Sequence, residues 1–197
     1  MTTAAQDPFS ADAAAAAQFL GGGRTVAAKF PKNGHKVEGT ITEYRMAQRT
    51  DIDSGEPLFW EAKKPTPQSK LKFATSATEK NACMQLIISM QCEPTGVTWE
   101  TNRYIEKALP EDDGMRALYV TGDLQRAVGK ALAEAGVKAP EIGGYLEVVK
   151  TDEKRIEGTS FTRFLYAARY TPASKNEHAA AEYFKAGGDA PADPFAS

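Results

Sequence analysis

The chain has 197 residues, 42% of them hydrophobic and 25% charged, which is enough for one domain with a sizeable core. No apolar run approaches the 18 or so residues of a membrane span, and no basic segment followed by an apolar stretch opens the chain, so neither a span nor a secretory signal is expected. The overall charge of -2 hides an asymmetry: residues 24–172 hold 22 basic and 20 acidic side chains and the ends hold 2 and 6, a slightly basic body with acidic tails.

Residues 1–23, "MTTAAQDPFSADAAAAAQFLGGG", are rich in alanine and glycine and poor in large apolar groups. Ala11 to Leu20 can form a transient helix that Gly21–Gly23 stop, so this stretch reads as a disordered arm. A two-residue alternation then sets in. "KVEGTITEYRMA" reads as a strand with a bend at Gly39, followed by a loop whose tip is Ser54-Gly55. "PLFWEAKK" reads as the returning strand. The strongest strand is "NACMQLIISMQCEP", with Met84, Leu86, Ile88 and Met90 on one side. Pro94-Thr95-Gly96 turns the chain, "VTWETNRYI" is its expected hairpin partner, and "MRALYVTG" is a further strand. Leu124, Ala127, Val128, Ala131, Leu132 and Ala135 form one stripe of a helix that Thr121 or Asp123 can cap and Gly136 can close. After Gly143-Gly144 come "YLEVVK" and "SFTRFLYAARY", joined by the polar loop "TDEKRIEGT". From residue 173 the chain is again small and polar, with Asn176 able to cap a short helix through Lys185, so 173–197 reads as a flexible acidic tail.

Several strands, one helix and a closing hairpin is the order expected of an OB-fold, mainly β, a five-stranded Greek-key barrel with its helix between the third and fourth strands; other small barrels and α+β sheets share much of this pattern. An extra hairpin around residues 97–105 has to be accommodated.

Cys83 and Cys92 have neither zinc spacing nor a disulfide framework and read as reduced thiols of a cytoplasmic protein. His35 and His178 have no neighbours that suggest a triad or a metal site, and no glycine-rich phosphate loop is present, so no catalytic residue, metal or cofactor is assigned. The segment "LFWEAKKPTPQSKLKFATSATEK" interleaves Phe59, Trp60 and Phe73 with Lys63, Lys64, Lys70 and Lys72. Cations that track phosphates beside flat rings that stack on bases are what sequence-independent single-strand binding needs. Tyr44, Arg45, Arg49, Trp99, Arg103 and Tyr104 can extend the same face.

The stretches "VEGTI", "DDGMRALYVTGDLQRAVGKALAEAG", "GGYLEVVKTDE" and "AARYTP" resemble the single-stranded DNA-binding proteins encoded by actinobacterial phages, over about residues 30–172. That resemblance implies an OB-fold body, with 24–172 as the DNA-binding domain, acting in phage replication, recombination or repair inside a bacterial host. It also implies a tail whose Asp193-Pro194-Phe195 docks replication or recombination proteins, although here Ala196 and Ser197 follow the aromatic ring. Homo-oligomerisation is compatible with this reading. Asp7-Pro8-Phe9 repeats the motif at the other end. Two other function classes stand beside it. Glu61-x-Lys63 with Glu111, Asp112 and Asp113 suggests a metal-dependent nuclease, and the paired Asp-Pro-Phe segments suggest a virion or interaction protein.

Overall fold

The computed structural model describes residues 25–100, 105–158 and 162–176. Ten strands and one α-helix are found among them: β1 (Val26–Ala27), β2 (Lys36–Gln48), β3 (Leu58–Glu61), β4 (Lys64–Pro67), β5 (Met84–Gln91), β6 (Val97–Trp99), β7 (Glu106–Ala108), β8 (Met115–Val120), α1 (Gly122–Glu134), β9 (Tyr145–Arg155) and β10 (Thr162–Thr171). Six of the strands form one curled, half-barrel sheet in the order β1-β8-β5-β2-β9-β10. All neighbours are antiparallel except β1, which runs parallel to β8. β3–β4 and β6–β7 are separate two-stranded hairpins.

The curl originates in β2. Its first residues, Lys36–Thr40, pair with β9, whereas Thr40–Gln48 pair with β5, and a register shift falls between Ile41 and Glu43. Gly39 sits where the two partners meet. A Cβ there would stand 2.3 Å from the Gln91 carbonyl oxygen, so only glycine lets β2 and β5 cross this closely. The bend expected at Gly39 therefore has a specific cause.

Alternate residues of the sheet point to the concave side. Ile41, Ile88, Met90, Leu118, Val120, Leu146 and Val148 pack there with Leu124, Val128, Ala131 and Leu132 of α1 into one buried cluster. The helical stripe read from the sequence is the face that covers this core, and Gly136, at φ 79°, closes the helix as expected. The cap differs from expectation. Thr121 occupies the N-cap position without a side-chain hydrogen bond to the helix, and the Asp123 carboxylate turns instead to Arg163 and Arg126.

Three strand expectations change. "VTWETNRYI" does not return against β5; β6 pairs with β7 in the extra hairpin, and β8 takes the place beside β5. "PLFWEAKK" contributes only the first half of a hairpin, because the chain reverses at Ala62-Lys63 and β4 runs back along β3. β9 continues to Arg155, through most of the segment read as a polar loop, because β10 pairs with it as far as Thr162↔Arg155.

Among the described residues the charged side chains of Arg116 and Lys150 are buried, each with partners. Asp112 accepts from both terminal nitrogens of Arg116 at 2.7 and 2.6 Å, and from the N–H groups of Thr95, Gly96 and Gly114. It ties the base of the β6–β7 hairpin to β8, and these donors hold its carboxyl far below the usual range. Lys150, with no exposed surface, bonds the Phe30 carbonyl oxygen, pairs with Glu153 and lies 4.5 Å from the centre of the Phe164 ring. Both cysteines are free thiols, Cys83 buried and Cys92 half-buried, and burial pushes the Cys92 thiol up to about 11. Among the described residues no helix is long and apolar enough to cross a membrane.

Candidate nucleic-acid interface

The 35-residue stretch between β2 and β5 is not a loose loop. The β3–β4 hairpin forms its centre, with Trp60 opposite Pro65 and Phe59 opposite Thr66. Its two-residue turn puts Ala62 at φ 47° and Lys63 at φ 64°, the positive values that tight hairpin turns demand and non-glycine residues resist. Carboxylates staple the arm to itself: Glu61 accepts from the Lys72 N–H at 2.9 Å and Glu56 from the Ser69 N–H at 2.8 Å. At the arm's root, the Cys83 N–H donates to the Leu58 carbonyl and the Arg49 N–H to the Cys83 carbonyl.

Strand alternation sorts the aromatic residues of this arm. Trp60 is 46% exposed, and Phe73, beyond the hairpin, is 69% exposed. Phe59 is only 7% exposed and is bridged to Ala82 at the arm's root, so it is an anchor and not a stacking platform. Lys63, Lys64, Lys70 and Lys72 are all exposed, and none pairs with a described carboxylate. From Ala62 to Ala77 there are 4 lysines and no acid, so this part of the arm is net positive, with Lys70 near enough to Asp51 and Glu56 to help lower their pKa values.

On the sheet, register decides which predicted residues share a face. Arg45 is opposite Ile87, which is buried and is itself opposite Tyr119, and this row alternates with the core-facing row that holds Ile88 and Leu118. Arg45 is exposed and Tyr119 is 46% exposed, although the rest of β8 is largely buried. The sequence signal for Tyr119 is a lone polar-capable ring in "MRALYVTG", which alternation places opposite to Leu118 and which composition alone does not mark as a site. Tyr44 is exposed but stands in register with Ile88, on the core-facing row, so it presents to the opposite side from Arg45. Arg49 is half-buried at the arm's root, where its positive charge acts on the Cys83 thiol.

Trp99 does not extend this face. It is half-buried at the other end of β2, its ring 5.9 Å from His35, which in turn lies 6.4 Å from Phe30. Trp99 and His35 border a cleft of about 550 Å³ between β1, the start of β2 and the turn after β5. Burial, with Lys32 nearby, pushes the His35 pKa down, and burial does the same to Lys29. Arg103, Tyr104, Asp193, Pro194, Phe195 and the Asp7–Phe9 segment lie outside the described residues.

The acids named for metal chemistry are also separated. Glu61 belongs to the arm near the start of β5, whereas Asp112 sits beside Gly114 at its far end, about 25 Å of strand away. Among the described residues no three His, Cys, Asp or Glu side chains gather as a metal site would need.

No family model, no curated protein and no solved structure matches this chain.

Proposed function

We propose that the protein binds single-stranded DNA without marked sequence preference, using the β3–β4 arm and the outer face of β2, β5 and β8. The observation that carries this reading is the arm itself. Two large exposed rings, Trp60 and Phe73, flank four exposed lysines on a hairpin and the segment after it, and carboxylates staple that arm to itself. Exposing Trp60 and Phe73 to water is unfavourable unless something covers them. A base does so while its phosphates meet the neighbouring ammonium groups. Arg45 and Tyr119 continue the same pairing of cation and ring onto the sheet.

The strand order supports an OB-fold reading of the body. Taking β2, β5, β8, β9 and β10 as strands one to five, the sheet runs 3-2-1-4-5 with α1 between three and four. That is the neighbour order of the five-stranded Greek-key barrel, with β1 and the two hairpins as additions. In this fold the loop between strands one and two flanks the oligonucleotide, and here that loop is the lysine-bearing arm. The likeness of "VEGTI", "GGYLEVVKTDE" and "AARYTP" to phage single-strand binding proteins points the same way. On this reading the acidic C-terminal tail, through Asp193-Pro194-Phe195, recruits replication or recombination proteins.

The test is a titration of fluorescent oligo(dT) against the full chain at several salt concentrations, with duplex DNA and RNA as competitors. Preferential single-strand binding that weakens as salt rises is expected. Equal affinity for duplex, or indifference to salt, refutes the proposal.

A further inference from the structure

β8 and β10 run in the same direction and are not hydrogen-bonded to each other, but residues from both line one pocket. The sheet ends with β1 beyond β8 on one side and with β10 on the other, and α1 packs along β10. The seam between β8, the start of α1 and β10 holds a cavity of about 290 Å³. Its walls include Tyr119, Phe164 and Tyr166, with the hydroxyl-bearing Thr121 and Thr162 beside them. This volume is at the small end of ligand pockets, suited to one ring system with its sugar and not to a longer ligand.

Three features describe what fits there. First, the walls are preformed. Phe164 is held under the Lys150 ammonium, and Tyr166 stands edge-on to Phe30 at 5.2 Å, so neither ring is free to collapse into the space. Second, the pocket's one acid is already engaged. Asp123 is gripped by the Arg163 guanidinium, with its Nη2 at 2.6 Å, and by Arg126 at 2.8 Å, so its carboxylate does not repel a nucleotide, and the second guanidinium leaves one positive charge at the rim for the nucleotide's phosphate. Third, the Thr121 hydroxyl occupies a capping position but makes no cap bond, which leaves a donor and an acceptor for the edge of a ring. Tyr119 connects the pocket to the outer row that carries Arg45.

We propose that this seam is a nucleobase pocket, which takes one base out of the stacked run of a bound strand and reads its edge through the threonine hydroxyls. The inference rests on the single-strand reading above and deepens it: the arm binds every sequence alike, and the seam adds a modest preference at one position.

The experiment uses the full chain labelled with nitrogen-15. Each of the four deoxynucleoside monophosphates is titrated in, followed by dA15, dC15, dG15 and dT15. At least one monophosphate is expected to shift the amide resonances of Thr121 and Thr162, and the homopolymers should differ by about three- to tenfold, the worth of one net hydrogen bond. Thr121→Val, nearly isosteric and half-exposed, should bring that ratio toward one. Lys64→Ala should weaken all four homopolymers together and leave the ratio intact. If homopolymers bind but no monophosphate moves these resonances, or if Thr121→Val keeps the ratio, the pocket is refuted and the strand-binding reading survives. Loss of all homopolymer binding refutes both.

Discussion

Replacing Lys63 by glycine should move stability and binding in opposite directions. Lys63 holds φ at 64° in the arm's turn, beside Ala62 at 47°. A left-handed conformation costs an L-residue about 1–2 kcal/mol, and glycine escapes it. Glycine also loses more freedom on folding, about 0.5–1 kcal/mol, so the net gain for Lys63→Gly is about 0–1.5 kcal/mol. The same change removes one ammonium. For single strands each phosphate contact contributes about 0.7 to the salt slope, so the slope should fall by about 0.7 and affinity at 0.1 M salt by about fivefold. Ala62→Gly is the matched control: it relieves the neighbouring residue and leaves the charge in place. Thermal unfolding, hydrogen exchange at the Phe59 and Trp60 amides, and oligo(dT) titrations at four salt concentrations give the readouts. Greater arm protection in both variants, with a reduced slope only in Lys63→Gly, is the expected pattern. An unchanged slope in Lys63→Gly would show that this lysine does not meet phosphate. Lower arm protection in both variants would show that the turn is not strained.

Trp60→Ala should weaken oligo(dT) binding by about 1–3 kcal/mol and leave the unfolding midpoint nearly unchanged, whereas Phe59→Ala should destabilise the arm by about 3 kcal/mol; a reversed pattern in paired melting and binding curves would mean the hairpin register is wrong. Asp112→Asn should cost about 3 kcal/mol, since it strips a buried guanidinium of its charge partner. Because the Asp112 carboxyl is held below its ordinary value in the folded state, its contribution is full above the unfolded-state pKa near ~3.9 and is lost as pH falls below that value. Urea melts from pH 6 to pH 2 should therefore be flatter for the variant than for the parent. Truncation after Gly188 should keep or raise affinity for oligo(dT) while removing capture of a purified replication or recombination partner, measured side by side on the same preparations.

Much of the fold could be read from local pattern because local pattern caused it. β5 alternates Leu86, Ile88 and Met90 toward the core, and α1 repeats its apolar residues at helical spacing, so both elements stand where periodicity puts them. What pattern could not reveal is which of two faces meets a partner. Phe59 and Trp60 are adjacent and equally apolar, and only the pairing of β3 with β4 and Ala82 decides that one is buried and the other bare. The same holds for Tyr119, whose exposure follows from the register with Ile87 and Arg45. Trp99 lies at the opposite end of β2 from the arm, and sequence distance from β5 says nothing about which end of the sheet a hairpin occupies. Lys150 was illegible for a different reason. A lysine in a polar stretch is ordinarily solvated, and only the tertiary meeting of Phe30, Glu153 and Phe164 makes its burial tolerable.

The division of β2 between two partners also sets an order of assembly. Its second half pairs with β5, some 40 residues downstream, but its first half waits for β9, in the register Lys36↔Val149. Contacts so distant along the chain form late, because their loop-closure entropy is met only after nearer pairings exist. During synthesis β2, β5 and β8 therefore leave the ribosome as a meander whose Ile41, Ile88 and Leu118 face water until α1 and β9 follow. For that interval the nascent chain presents an uncovered apolar trough, a natural client for a holding chaperone, and slowing translation once β8 has emerged should lengthen its exposure.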